Sequence, residues 1–145
     1  MKAIRHFGIV VSDLEKSLHF YRDLLGLKIK RDMLEEGEFI DTILGLQGVR
    51  VHTVKMISQS GDTLVELLEY ASHEGEKREH YEIFDIGASH VAFTVEDIDQ
   101  EYQKLQQEGI SFTCEPQVSP DGKAKVTFCF DPDGVPVELV QQLTN

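Results

Sequence analysis

Two segments of the chain share one pattern of apolar and polar positions, and each segment opens with a histidine. The first, HFGIVVSDLEKSLHFYRDLLG, begins at His6, and the second, HVAFTVEDIDQEYQKLQQEG, begins at His90. Both segments alternate for a few residues, as half-buried strands do, and then carry apolar residues at helical spacing. Ser12 or Asp13 can cap the first helix, and Asp97 can cap the second. Each segment is therefore predicted to fold as a strand followed by a helix.

The first helix is predicted to bury one apolar face. Residues on this face recur at i, i+4, i+7 and i+11, and they are Leu14, Leu18, Tyr21 and Leu25. Gly26 is placed to end the helix in the left-handed conformation, and Gly109 is placed to end the second helix in the same way.

Each helix is followed by sequence that is typical of a hairpin. Val49–Ile57 and Thr63–Tyr70 flank the turn signal SQSGD, and Lys125–Phe130 and Val135–Gln141 flank the stronger turn signal DPDG. The chain is therefore predicted to be an α+β protein with two tandem β-α-β-β-β modules that form a curled mixed sheet.

The two modules are expected to share a single domain over residues 1–145. Module 1 covers about residues 1–70, a polar linker covers about 71–85, and module 2 covers about 86–145. Neither module alone is large enough to bury both faces of its sheet, so the two are expected to pack together. Module 1 is the longer one, and its additional residues are expected within 31–48.

The last predicted strand of each module carries a glutamate in the sequence Val-Glu-Leu, at Glu66 and Glu138. On an alternating strand each acid faces away from its apolar neighbours, and a buried carboxylate is costly unless it is paired or bound to a metal. If the sheets curl toward each other, these acids meet His6 and His90. Two imidazoles and two carboxylates suit an octahedral divalent metal with two open positions, and zinc is a second possibility. A half-buried histidine and a solvent-facing glutamate are the alternative, which the recurrence of both in the repeat disfavours.

Composition narrows the class of partner. The chain has 14 Lys and Arg against 26 Asp and Glu, a formal net charge of −12, which disfavours nucleic acid and an anionic membrane surface as partners. No apolar run approaches the ~20 residues of a transmembrane helix. Cys114 and Cys129 lack CxxC spacing and are expected to be reduced, as in a cytoplasmic protein.

Four separated motifs resemble the vicinal oxygen chelate superfamily, which includes glyoxalase I, methylmalonyl-CoA epimerase, extradiol dioxygenases and bleomycin-binding proteins. The motifs lie in His6–Lys28, Leu64–Tyr70, Gly87–Asp99 and Phe130–Leu139, so the resemblance covers essentially the whole chain. It implies a cleft that binds one divalent metal ion (Ni, Co, Zn, Mn or Fe). The ligands that it implies are His6, Glu66, His90 and Glu138.

The resemblance also implies a reaction. Bacterial glyoxalase I has the same His-Glu-His-Glu set and moves a proton with metal-site glutamates, so Glu138 is the expected catalytic base and Glu66 its counterpart. The substrate would be the hemithioacetal of a 2-oxoaldehyde, which rearranges through an enediolate to a 2-hydroxyacyl thioester. One alternative is a methylmalonyl-CoA epimerase-like isomerase, although that family usually has Gln where Glu66 stands. Another is a small-molecule or drug-binding resistance protein of the same fold.

Both candidate substrates are anionic small molecules and need local basic groups in this acidic chain. The expected substrate contacts are Lys123, Lys125, Arg50 and His52. Arg31 and Lys55 are further basic residues that can compensate the charge, and a solvated surface position is the alternative for each of the lysines and arginines. A homodimer is expected, because two open sheet modules leave edges to cover. The resemblance leaves two arrangements of the cleft open: within one chain, or across the dimer, with His6 and Glu66 of one chain beside His90 and Glu138 of the other.

Overall fold

The computed structural model describes residues 1–77 and 82–143 of the chain. The chain divides into two compact units, Met1–Arg78 and Glu79–Asn145, and the boundary falls inside the predicted linker. Linker residues 78–81 lie outside the described part. The α+β class and the two tandem modules are confirmed, whereas the single domain stays a prediction.

The first unit is a four-stranded mixed sheet with helices. Its elements are β1 (His6–Val10), α1 (Leu14–Leu18), β2 (Lys28–Glu36), α2 (Glu38–Leu44), β3 (Arg50–Ile57) and β4 (Leu64–Tyr70). The strand order is β1-β4-β3-β2, with β1 parallel to β4 and the other neighbours antiparallel.

Helix α1 continues as a π-helical segment, His19–Leu24, in which the Leu25 amide donates to the Phe20 carbonyl at 3.0 Å. The wider turn shifts the buried face. Leu24 is buried in the place predicted for Leu25, which is only half-buried. Asp13 is the N-cap, and the hydrogen bond that its carboxylate accepts from the Lys16 amide lowers the pKa of Asp13.

Helix α2 lies within the segment where module 1 was expected to be longer, but the sequence pattern did not predict it as a helix. It ends at Gly45, which has a φ of 67° and so adopts the left-handed conformation that favours glycine. The Asp41 carboxylate accepts hydrogen bonds from the Gly48 and Val49 amides, at 2.8 and 2.7 Å, and fixes the path into β3. The first unit therefore has the order β-α-β-α-β-β.

The second unit repeats the sheet without the additional helix. Its elements are β5 (Val91–Thr94), α3 (Ile98–Gln107), β6 (Gln117–Val118), β7 (Ala124–Phe130) and β8 (Pro136–Gln142). The strand order is β5-β8-β7-β6, with β5 parallel to β8. This is the predicted β-α-β-β-β order, and each unit has its own four-stranded sheet. None of the helices in the described residues is long and apolar enough to span a membrane.

One face of the first sheet forms the core under α1. Val54, Met56 and Leu67 are fully buried on this face, and the Leu14 amide at the start of α1 donates to the Glu69 carboxylate at 2.9 Å. Strand alternation places Glu66 on the opposite face. The opposite face carries Glu66 and also a second core cluster of Ile40, Val49 and Val51, against which Leu68 and Tyr70 pack.

The two cysteines differ in exposure, and this difference gives a first testable prediction. Cys129 is fully buried on β7, whereas Cys114 is exposed. Burial raises the pKa of the Cys129 thiol to about 12, so its reactive thiolate is scarce near neutral pH. We expect the folded protein to react rapidly with one equivalent of a thiol reagent at Cys114, and with a second only after unfolding. Peptide mapping after alkylation checks the site, and rapid labelling of Cys129 in the folded protein would refute the burial argument.

Candidate metal and catalytic site

Strands β1 and β4 bring His6 beside Glu66 in the first unit. Glu66 lies opposite Gly8 in the parallel register, and His6 Nε2 is 3.2 Å from Glu66 Oε2. A Cβ atom at Gly8 would lie 3.5 Å from Oε2, in ordinary van der Waals contact. Only 10% of the Glu66 side chain is exposed, so a nearly buried carboxylate lies next to a more accessible imidazole.

The second unit holds the same pair. His90 Nε2 is 3.2 Å from Glu138 Oε2, and the small residue Ala92 lies opposite Glu138, as Gly8 lies opposite Glu66. The Glu138 side chain is 21% exposed. The repeat in the sequence therefore corresponds to a repeat in the structure. Each unit has one histidine–glutamate pair, and the Nε2–Oε2 distance is the same in both.

Each pair has the donor chemistry and the spacing of half a divalent metal site. Adjacent ligands that lie about 2.0–2.2 Å from one cation are about 3 Å apart when the two bonds are at right angles, and both Nε2–Oε2 distances are 3.2 Å. Within each unit, the described residues gather no cluster of three or more His, Cys, Asp or Glu side chains suited to a metal. Each unit therefore supplies one imidazole nitrogen and one carboxylate oxygen at a spacing that a divalent cation can bind.

A lysine completes the first pair. Lys55 lies directly opposite Glu66 in the antiparallel register of β3 and β4, and its Nζ is 3.1 Å from Glu66 Oε1. The Lys55 side chain is 18% exposed. Both carboxylate oxygens of Glu66 thus have a partner, His6 for Oε2 and Lys55 for Oε1. This ion pair offsets the cost of burying the charged carboxylate.

The second pair has a phenyl ring where the first has an ammonium group. Phe128 lies directly opposite Glu138 in the antiparallel register of β7 and β8. Its ring meets the His90 imidazole edge-on, with ring centroids 5.2 Å apart and planes at 76°. The two histidine–glutamate pairs are therefore alike in their donors and different in their surroundings.

Arg50 and His52, two of the expected substrate contacts, do not join the histidine–glutamate pair of the first unit. They lie five and three residues from Lys55 on the same strand, so alternation places them on the opposite face of the sheet. His52 Nε2 is 2.6 Å from Asp32 Oδ1. Their role as substrate contacts stays a prediction, and the structure gives it no support from proximity to His6.

The other two expected contacts lie before and on β7. Lys125 binds the Asp99 carboxylate of helix α3, so its ammonium is directed to the helix side of the sheet, whereas Phe128, three residues on, lies on the Glu138 side. Lys123 is exposed, and its amide donates to Asp121 Oδ1 at 3.1 Å. Both assignments remain predictions.

Lys55 was one of several basic residues in the sequence, and nothing in its immediate neighbours distinguishes it. The signal that could have found it is the hairpin register. Once Ile57 is paired with Leu64 across the SQSGD turn, the antiparallel ladder places Lys55 opposite Glu66. The same reasoning across the DPDG turn finds Phe128 opposite Glu138.

Comparison with known proteins finds a family model and several relatives that match most of the chain. The family model of the Glyoxalase/Bleomycin resistance protein/Dioxygenase superfamily matches residues 3–139. A lactoylglutathione lyase of Schizosaccharomyces pombe is 32% identical over 150 residues, 96% of this chain and 47% of that protein, so the chain spans about half the length of this relative. A probable lactoylglutathione lyase of Synechocystis sp. is 30% identical over 137 residues, 94% of this chain and 92% of that protein.

Solved structures share the fold, and some relatives have other activities. A glyoxalase family protein from Bacillus cereus superposes with a TM-score of 0.88 and 23% identity, over 99% of this chain and 96% of that one. A 2-epi-5-epi-valiolone epimerase of Actinomyces sp. is 24% identical over 95% of this chain and 78% of its own length. An antibiotic binding protein from Streptomyces sp. CB03234 has a TM-score of 0.66 at 20% identity, over 99% of this chain and 98% of its own.

Proposed function

Because the chain belongs to the Glyoxalase/Bleomycin resistance protein/Dioxygenase superfamily, we propose that it is a metal-dependent lyase of the lactoylglutathione lyase type. The observation that carries this proposal is the repeated histidine–glutamate pair, with a 3.2 Å donor distance in both units. One divalent cation would be held by His6, Glu66, His90 and Glu138. When bound, it supplies Lewis-acid stabilisation of negative charge on the two neighbouring oxygens of the substrate.

The proposed substrate is the hemithioacetal that forms from a 2-oxoaldehyde and a thiol. Glu138 takes the proton from the carbon that bears the hydroxyl group and the sulfur, and returns it to the neighbouring carbonyl carbon. The hydroxyl proton moves to the other oxygen, and the product is a 2-hydroxyacyl thioester with the same atoms as the substrate. The residues next to the two acids support Glu138 as the base. Lys55 engages Glu66 Oε1, whereas the residue opposite Glu138 is an uncharged phenyl ring.

Turnover of methylglyoxal in the presence of glutathione tests the proposed reaction. We expect the metal-loaded protein to form the thioester, which is followed by its ultraviolet absorbance, and we expect a chelator to stop the reaction and added metal to restore it. The chelator-treated protein and the thiol without protein are the controls. If the protein binds a metal and no thiol supports turnover above the uncatalysed reaction, the lyase assignment is wrong.

An epimerase acting on an acyl thioester is the second candidate. The relative from Actinomyces sp. is named an epimerase, which favours epimerase chemistry on this fold but not this particular substrate. Both reactions remove a proton beside a carbonyl group, so the metal requirement does not separate them. Exchange of deuterium from heavy water into a candidate thioester, without methylglyoxal turnover, would favour the epimerase. A protein that binds a small molecule with neither reaction would match the antibiotic-binding relative instead.

A further inference from the structure

The two histidine–glutamate pairs differ in the residue that faces the carboxylate, and this difference suggests that the glutamates have separate tasks. We propose that Lys55 is a positioning residue that holds Glu66 so that a single oxygen, Oε2, is presented to the metal. This inference rests on the metal site proposed above. Its first support is the split of contacts across one carboxylate: Oε2 is 3.2 Å from His6 Nε2, and Oε1 is 3.1 Å from Lys55 Nζ.

The ion pair constrains the carboxylate because both of its ends are anchored. The last torsion of a glutamate side chain is broad and roughly two-fold, so an unanchored carboxylate can present either oxygen or both. Lys55 lies directly opposite Glu66 on the adjacent strand. Its side chain is 18% exposed and that of Glu66 is 10% exposed. Turning Oε1 away from the ammonium would leave a partly buried cation without this partner, which is unfavourable.

The second unit shows what the site looks like without this constraint. Phe128 occupies the position of Lys55, so no lysine ammonium faces Glu138 from the neighbouring strand. The phenyl ring instead packs against the His90 imidazole. Glu66 is thereby held as a one-oxygen ligand, while Glu138 keeps an oxygen that can accept a proton.

If Lys55 acted only as a counter-ion to Glu66, its effect on the metal affinity would have the opposite sign. An ammonium next to a ligand repels a divalent cation, so its removal would then tighten metal binding. Groups that position metal ligands behave in the opposite way, because their loss typically weakens metal affinity by about 10–100-fold. The direction of the change in affinity therefore separates the two roles.

Cobalt(II) binding to the metal-free protein tests the proposal. We expect Lys55→Met and Lys55→Gln to raise the Kd for Co²⁺ by about 10–100-fold in titration calorimetry, and Lys55→Arg, which keeps the cation, to recover most of the affinity. We also expect the visible absorption of the bound Co²⁺ to change in Lys55→Met and Lys55→Gln, because the Glu66 carboxylate is no longer limited to one oxygen. Lys28→Met removes an exposed lysine from β2 of the same sheet and is the matched control.

Circular dichroism shows whether each variant is folded. If Lys55→Met does not fold, Lys55→Gln alone provides the test. An unchanged or lower Kd together with an unchanged cobalt spectrum in the folded variant would overturn the positioning role. That result differs from failure of the proposed metal site, in which the unaltered protein itself would not bind Co²⁺.

Discussion

Glu138→Gln is expected to lower kcat for the hemithioacetal by about 10³-fold, within the 10²–10⁴-fold range of general acid–base groups. Glutamine keeps a carbonyl oxygen that can bind a metal but lacks a carboxylate that accepts a proton. The loss corresponds to about 4 kcal/mol of transition-state stabilisation. We expect KM to change little, because the substrate oxygens would still meet the same cation. Steady-state kinetics on the metal-loaded variant measure both constants.

Glu66→Gln is the matched control, since it makes the same chemical change in the other unit. Glu66 has Lys55 and His6 on its two oxygens, so we expect its substitution to act mainly on metal affinity and to lower kcat less than Glu138→Gln does. A larger loss of kcat in Glu66→Gln, with metal content equal in both variants, would reverse the assignment of the base.

Chelation of the metal is expected to lower the melting temperature by about 8–16 °C. A ligand present at about 1,000 times its Kd stabilises the folded state by about 4 kcal/mol, and a chain of this size shifts by about 2–4 °C per kcal/mol. The stabilisation would come from donors that the folded state brings together and the unfolded chain does not. The Glu66 carboxylate is nearly buried beside Lys55, and each imidazole nitrogen lies 3.2 Å from a carboxylate oxygen. Thermal unfolding with and without a saturating divalent metal measures the shift.

The His90→Ala variant is the control for this prediction, because it lacks one of the four proposed donors. Its melting temperature should respond little to metal or chelator. If saturating metal raised the melting temperature of the unaltered protein by less than about 2 °C, metal binding would stabilise the folded state by less than the expected free energy, and the prediction would be wrong.

The histidine–glutamate pairs can be predicted from the sequence, because they depend on the alternation of side chains along a strand and on the repeat of one motif. A glutamate between two apolar strand residues must face away from them, and its recurrence in two motifs with a leading histidine links the four residues before any fold is known. The structure places each pair at 3.2 Å. That both pairs bind one metal stays a prediction.

Other features depend on long-range pairing or on local hydrogen bonds that the apolar pattern does not show. In the π-helical turn, the Leu25 amide donates to the carbonyl of Phe20, five residues earlier, instead of four. The wider turn places Leu24, and not Leu25, in the core. The role suggested for Lys55 required the register of β3 on β4. The charge and residue type of Arg50 and His52 suggest substrate contacts, and only their strand parity relative to Lys55 shows that they lie on the other face of the sheet.

Elemental analysis of protein that has been loaded with metal and freed of excess by gel filtration tests whether His6, Glu66, His90 and Glu138 bind one divalent cation. We predict about one metal per chain in the unaltered protein and in His19→Ala, which removes an exposed histidine of the first unit, and less than about 0.2 in each of His6→Ala and His90→Ala. A full equivalent retained by His6→Ala or by His90→Ala, or no metal in the unaltered protein, would contradict a site shared by the two pairs.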